Sequence, residues 1–151
     1  MPPIRWQTCR FDELDVPTLY AVLQLRAQVF VVEQACVFQD IDGLDPQAVH
    51  LMGWSDGGLQ AYARCFPAGV TFAEASIGRV VTQPAARGGG WGHRLIAQAQ
   101  QVVAERWGRQ PVRIGAQAHL QHFYAAHGFV DTGRPYVEDG IDHLEMLWTP
   151  S

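Results

Sequence analysis

Val80-Val81-Thr82-Gln83-Pro84-Ala85-Ala86-Arg87-Gly88-Gly89-Gly90-Trp91-Gly92-His93-Arg94-Leu95 decides how the rest of the chain is read. A β-branched run stops at Gln83-Pro84, and a turn follows. Four glycines then lead into apolar residues at helical spacing. Glycines let successive backbone N–H groups point into one concavity with no Cβ in the way. The first turn of a helix adds unsatisfied N–H donors and a partial positive charge. Arg87 at the lip, with Arg94 one turn later, supplies guanidinium donors for phosphate oxygens. Together these predict an anion site shaped for a pyrophosphate, where a glycine cluster alone would read as a surface turn. No Gly-Lys-Ser/Thr follows, so the stretch is not a P-loop. No acidic residue closes a strand at the distance a dinucleotide fold needs.

Outward from this loop, elements alternate. Upstream, Ile77 to Thr82 reads as a strand. Before it, His50 to Ser55 and Leu59 to Phe66 form an antiparallel hairpin around Asp56-Gly57-Gly58. Ile4 to Cys9 is a first strand, and Asp15 caps a helix whose first turn holds Pro17. Leu19, Val22, Leu23, Arg26, Ala27 and Phe30 mark that helix's buried face, and Glu33 to Pro46 is a carboxylate-rich loop. Downstream, a helix marked by Trp91, Leu95, Ala99, Val102 and Arg106 runs to Trp107 and stops at Gly108 and Pro111. Val112 to Ala116 is a strand, and Leu120 to His127 a short helix ended by Gly128. Strands follow from Phe129 and from His143 to Trp148. The expectation is a mixed α+β fold with antiparallel strands early and a βαβ unit later.

Composition narrows the function classes. The 151 residues are 48% hydrophobic and 17% charged, as suits one domain (1–151) with a proper core. The net charge of −4 and the lack of a basic stripe argue against a nucleic-acid partner. All eleven basic residues are Arg, which gives fixed bidentate forks and no titratable amine. Cys9, Cys36 and Cys65 match no metal or redox spacing and read as reduced thiols. The start, Met1-Pro2-Pro3-Ile4-Arg5-Trp6, has no apolar signal region, and no stretch is long enough to span a bilayer. A cytoplasmic protein without a membrane partner is expected. His119, His122 and His127 lack a thiolate or carboxylate at useful spacing, so no metal is expected. Asp40-Ile41-Asp42-Gly43 is not an EF-hand, because the glycine comes too early.

Arg87, Gly90 and Gly92 match the Arg-x-x-Gly-x-Gly signature of the GNAT N-acetyltransferase superfamily. Val112-Arg113-Ile114-Gly115-Ala116-Gln117 resembles the strand that splays away to admit its cofactor. Leu120 to Phe129 resembles the Phe-Tyr-x-x-x-Gly-Phe helix that follows. Arg26 to Gln34, Gln39 to Gly43, Ile77 to Val80, Gly115 to His119 and Glu138 to His143 are together similar to the ElaA-like branch. Thr82 stands where the superfamily more often has a branched apolar residue. The resemblance implies the GNAT acyl-CoA N-acyltransferase fold: a mostly antiparallel central sheet with splayed parallel central strands and flanking helices. It implies acetyl-CoA as co-substrate and a primary amine, on a small molecule or peptide, as acceptor. It leaves the oligomeric state open, a homodimer through sheet edges being common for such folds.

The same resemblance assigns roles. Val80, Val81 and Thr82 would pair with the pantetheine arm and the acetyl oxygen. Arg87, Gly88, Gly89, Gly90, Trp91, Gly92, His93 and Arg94 would hold the pyrophosphate. Tyr124, protonated at neutral pH, is the expected general acid for the leaving thiolate, although it also reads as a core aromatic beside Phe123. Glu33, His119 and His143 are alternative acceptors of the amine proton, directly or through water, and each also reads as a structural residue. Glu33, Asp40 and Asp42 would form an acidic mouth for a cationic amine, with Arg79 beside them in contact with substrate. Two other functions compete: an acyl-homoserine-lactone-synthase-like acyltransferase, and a non-catalytic acyl-CoA-binding regulatory module.

Overall fold

A computed structural model describes residues 3–151; Met1 and Pro2, where the reading of the amino terminus begins, lie outside the described residues. Seven strands form one sheet: β1 (Arg5–Arg10), β2 (Val49–Ser55), β3 (Gly58–Phe66), β4 (Ala75–Thr82), β5 (Val112–Gln117), β6 (Val130–Glu138) and β7 (Ile141–Trp148). Their order is β1-β2-β3-β4-β5-β7-β6. All neighbours are antiparallel except β4 and β5. This is the mixed sheet expected, with the parallel pair at its centre because helix α2 (Trp91–Trp107) carries the chain across from β4 to β5.

Two apolar clusters cover the two faces. Leu51, Ala61, Ala63 and Cys65 pack with the buried stripe of α2, namely Leu95, Ile96, Ala99, Val102 and Val103. Met52 and Tyr62, one residue along on β2 and β3, join Val22, Leu25 and Val29 instead. Successive strand side chains point to opposite faces, so α2 and α1 (Val16–Arg26) sandwich the sheet. Asp15 caps α1 as expected: its Oδ1 accepts from the Thr18 N–H at 2.8 Å. The buried stripe of α1 is shifted, however. Val22, Leu25, Arg26 and Val29 are buried at ordinary helical spacing while Ala27 is exposed, and the helix widens to π geometry over Ala27–Glu33. On α2, Arg106 is exposed and Ile96 and Val103 complete the stripe.

Two irregularities in the sheet prepare the site. Between the pairs Tyr62↔Val81 and Arg64↔Gly78, one residue of β3 opposes two of β4. The extra residue bulges, and Arg79 takes a left-handed φ of 49°. Beyond that, β4 and β5 pair only at Ala75↔Val112 and Ser76↔Arg113. Their remaining lengths diverge, and a wedge opens between them.

Candidate functional site

The wedge is the throat of a cavity of about 550 Å³. Gly78 and Val80 line it from β4, Ile114, Gly115 and Gln117 from β5. The backbone edge of β4 past Ser76 has no strand on its β5 side, so its polar groups are available to an extended ligand.

At the head of β4 sits the glycine loop. Gly88 and Gly90 have φ of 87° and 81°, conformations that favour glycine. Backbone bonds run from Arg87 to Pro84, Gly89 to Ala86 and Arg94 to Gly90. The intervening N–H groups of Gly88, Gly90, Trp91, Gly92 and His93 take no backbone acceptor in that pattern, the last three being first-turn donors of α2. A run of free donors at a helix start fits a pyrophosphate. Two members of this stretch also serve packing. Trp91 is buried edge-on against Trp6, with ring centroids 6.0 Å apart. A Cβ on Gly92 would meet the Phe123 ring at 3.2 Å, so glycine there lets α2 seat against α3 (Gln121–Ala125). The His93 ring lies 4.7 Å from Phe123, and its Nδ1 is 2.9 Å from Nε2 of His127. Arg94 is exposed. Arg87 engages Glu33 in a two-pronged ion pair, with Nη1 to Oε2 at 3.0 Å and Nη2 to Oε1 at 2.5 Å.

Tyr124, on α3, lines the cavity and is only 7% exposed. Burial pushes its phenol up from the ordinary tyrosine value, so the hydroxyl keeps its proton throughout the neutral range. His143, on β7, lines the same cavity. Its Nδ1 lies 2.8 Å from the Ile141 carbonyl oxygen, which only accepts, so Nδ1 carries a hydrogen and Nε2 is the nitrogen left to exchange a proton. Glu138 stands 3.9 Å from that Nε2. His119 is exposed on the 3₁₀ turn Ala118–Leu120 and does not line the cavity; neither does Glu33.

The carboxylate loop folds differently from the expected acidic mouth. Arg26, fully buried, donates from Nε to Asp40 Oδ2 at 3.0 Å and from Nη1 to Asp45 Oδ1 at 2.8 Å. Arg64 donates from Nη2 to Asp42 Oδ2 at 2.6 Å and from Nη1 to Asp42 Oδ1 and Asp45 Oδ1, each at 2.9 Å. Arg79 donates from Nε to Asp40 Oδ1 at 2.9 Å. Three carboxylates thus meet three guanidiniums, so the charges of this cluster cancel, while Glu138 and Asp139 line the cavity elsewhere. Burial would by itself raise the Asp42 carboxyl. The Arg64 hydrogen bonds, the Leu44 N–H and the charges of Arg64 and Arg79 outweigh it and hold the group well below the usual carboxylate range. Asp45 is lowered for the same reason, its burial outweighed by Arg26 and Arg64. Of this set, Asp42, Arg64 and Arg79 line the cavity, whereas Asp40 is buried behind them.

Two cavity residues escaped the sequence reading. Arg64 was visible as the only charge in the apolar run Leu59–Phe66, and a charge inside a buried strand must be paired. Tyr136 stacks on His143 with ring centroids 5.2 Å apart. Its hydroxyl occupies the space over Gly115, where a Cβ would clash with it. No local pattern links positions 115 and 136; the sheet order β5-β7-β6 brings them together.

Among the described residues no helix is long and apolar enough to cross a membrane, and no group of three or more His, Cys, Asp or Glu is placed to hold a metal.

Comparison with known proteins places this geometry. A family model described as an acetyltransferase (GNAT) domain matches residues 28–150. Protein ElaA of Escherichia coli is 44% identical over 145 residues, which is 95% of each chain. The crystal structure of Escherichia coli ElaA superposes with a TM-score of 0.89 at 42% identity, covering 97% of this chain and 99% of that one. An acyl-CoA N-acyltransferase from Pseudomonas aeruginosa superposes with a TM-score of 0.91 at 43% identity, covering 97% and 100%.

Proposed function

The chain belongs to the GNAT acetyltransferase family, among the ElaA-like proteins, and from that premise we propose that it transfers the acetyl group of acetyl-CoA to a primary amine. One observation carries the reading: the β4–β5 wedge leads from a loop of free N–H donors to a cavity lined by both a neutral phenol and an imidazole whose Nε2 makes no hydrogen bond to a described residue.

The division of labour follows from where each group stands. The loop from Arg87 to His93 binds the diphosphate, and the open edge of β4 near Val80 and Val81 orients the pantetheine arm. Holding both reactants in one geometry removes ~7–11 kcal/mol from a barrier. The amine reacts in its neutral form: His143 Nε2 takes one proton from its nitrogen as the C–N bond forms, and Glu138 stabilises the resulting imidazolium. The amine nitrogen attacks the thioester carbonyl carbon; a C–N bond forms and the C–S bond breaks. Tyr124 gives its proton to the departing thiolate, leaving the amide and the free thiol. The phenolate then regains a proton from solvent as His143 loses its own. Placement favours His143 over His119 and Glu33, which lie off the cavity wall.

Thiol release from acetyl-CoA across a panel of amines tests this. Tyr124→Phe should cut turnover by ~10²–10⁴ while calorimetry reads an unchanged affinity for coenzyme A. Equal turnover by the variant removes Tyr124 from the mechanism. Tight binding of coenzyme A with no thiol release for any amine would favour a sensor of the cofactor instead.

A further inference from the structure

On the Asp40–Asp42 side of the cavity the acceptors are taken and donors are left over. Asp40 Oδ1 accepts from Arg79, Oδ2 from Arg26, and the Asp40 carbonyl from both. Asp42 Oδ1 accepts from Arg64 and from the Leu44 N–H, and Oδ2 from Arg64 and Arg79. On the donor side, Arg64 Nε is buried without a partner although its side chain is only 5% exposed. Arg79 Nη1 makes no bond to any described residue, while Nε and Nη2 of the same guanidinium are held by Asp40 and Asp42. The Arg79 guanidinium also lies 5.5 Å over the Phe38 ring and lines the cavity.

Arg79 is therefore fixed from three sides with an N–H to spare. Its backbone sits at the bulge in a conformation that non-glycine residues rarely adopt, a strain that tends to persist where it serves a site. Around it, Phe38, Phe66 and Phe72 give the cavity an apolar lining that strengthens any hydrogen bond to a charged oxygen. Spare donors on a preorganised guanidinium call for an anionic acceptor atom, and in a substrate that must also offer an amine, that atom belongs to a carboxylate.

We propose, building on the acetyl-transfer reading above, that the acceptor is an amine carrying a carboxylate, with Arg79 binding the carboxylate and the phenylalanine wall taking an apolar side chain. The acidic mouth expected from the sequence would have selected the opposite charge.

The test compares each amino acid with its own amide: L-phenylalanine against L-phenylalaninamide, and 6-aminohexanoate against its amide. In each pair the amine is present and only the carboxylate is lost. The wild-type protein should favour the carboxylate member of at least one pair by about 10- to 100-fold in kcat/KM, the effect of one charged hydrogen bond, expressed mainly in KM. Arg79→Asn, whose side chain accepts the left-handed backbone readily, should bring that ratio close to one. Arg79→Lys, which keeps the charge without the fork, should retain part of it. Amides used as well as or better than the acids, or a preference that survives in Arg79→Asn, would overturn the proposal while leaving acetyl transfer standing. If no amine releases thiol, the transfer reading fails separately. Calorimetric titration of the same pairs into protein saturated with coenzyme A then decides: tighter binding of the acids, lost in Arg79→Asn, supports the proposal, and equal binding overturns it.

Discussion

Two sets of arginine–carboxylate contacts sit at opposite ends of the same site, and they differ in nearly everything but chemistry. Arg26, Arg64 and Arg79 with Asp40, Asp42 and Asp45 form a network whose Arg26 and Arg64 side chains are 0% and 5% exposed. Arg87 and Glu33 form one forked pair with side chains 46% and 38% exposed. In the first, each member has several partners and Arg26, Arg64, Asp40 and Asp45 are buried, so losing one leaves a buried charge short of a partner. In the second, both members keep access to solvent, and letting go of one another is nearly free. The buried set is a scaffold that fixes one wall of the cavity. Under the function proposed above, the exposed pair is a resting arrangement, in which the arginine of the glycine loop would hold a carboxylate until a phosphate replaced it.

The strongest way to break this comparison is at Arg26. Arg26→Met would leave the buried Asp40 with Arg79 as its one remaining guanidinium and Asp45 with Arg64, and should lower stability by ~3–5 kcal/mol, read as a fall in the urea unfolding midpoint. A loss below about 1 kcal/mol would mean that the network is no more than a surface pair in its energetics.

Acid should separate the two sets next. The Asp42 and Asp45 carboxyls lie below their ordinary values in the folded protein. A depressed folded value means the ionised form is favoured by folding, so the network contributes its full stability above the unfolded value of about 4 and loses it as pH falls further. Unfolding midpoints measured from pH 6 downward should drop steeply below about pH 4, and Asp42→Asn should flatten the drop. A profile identical in the variant would exclude Asp42 as a source of the acid sensitivity.

The comparison also explains what the sequence could disclose. The glycine loop, the α1 cap at Asp15 and the Asp56-Gly57-Gly58 hairpin are written in consecutive residues, because backbone conformation and helix dipoles act locally. Tyr124 and His143 could be named because their chemistry suits the reaction. The charge state of the carboxylate loop could not, since it depends on Arg64 and Arg79 arriving from β3 and β4. Acidic residues counted along the chain suggested an acidic mouth; counted in space they are neutralised. His119 shows the reverse limit: it is adjacent in sequence to the cavity strand β5, yet the structure exposes it on the 3₁₀ turn rather than on the cavity lining.

The smallest expected effect bears directly on the exposed pair. If Glu33 competes with phosphate for Arg87, removing the competitor should help the ligand. Glu33→Gln keeps the size and polarity of the side chain and deletes the charge. Since an exposed ion pair contributes 0.2–1 kcal/mol, roughly, its release should tighten coenzyme A binding by up to about fivefold. Arg87→Gln should act in the opposite direction and weaken binding by about tenfold or more, because it removes a charged hydrogen-bond donor to phosphate. The Glu33→Gln gain should shrink as salt rises, since screening weakens the pair it relieves. Calorimetry with coenzyme A at two ionic strengths reads all three quantities. Weaker binding in Glu33→Gln would show instead that Glu33 holds Arg87 in its phosphate-binding position, which would make the exposed pair a second scaffold and erase the distinction between the two ends of the site.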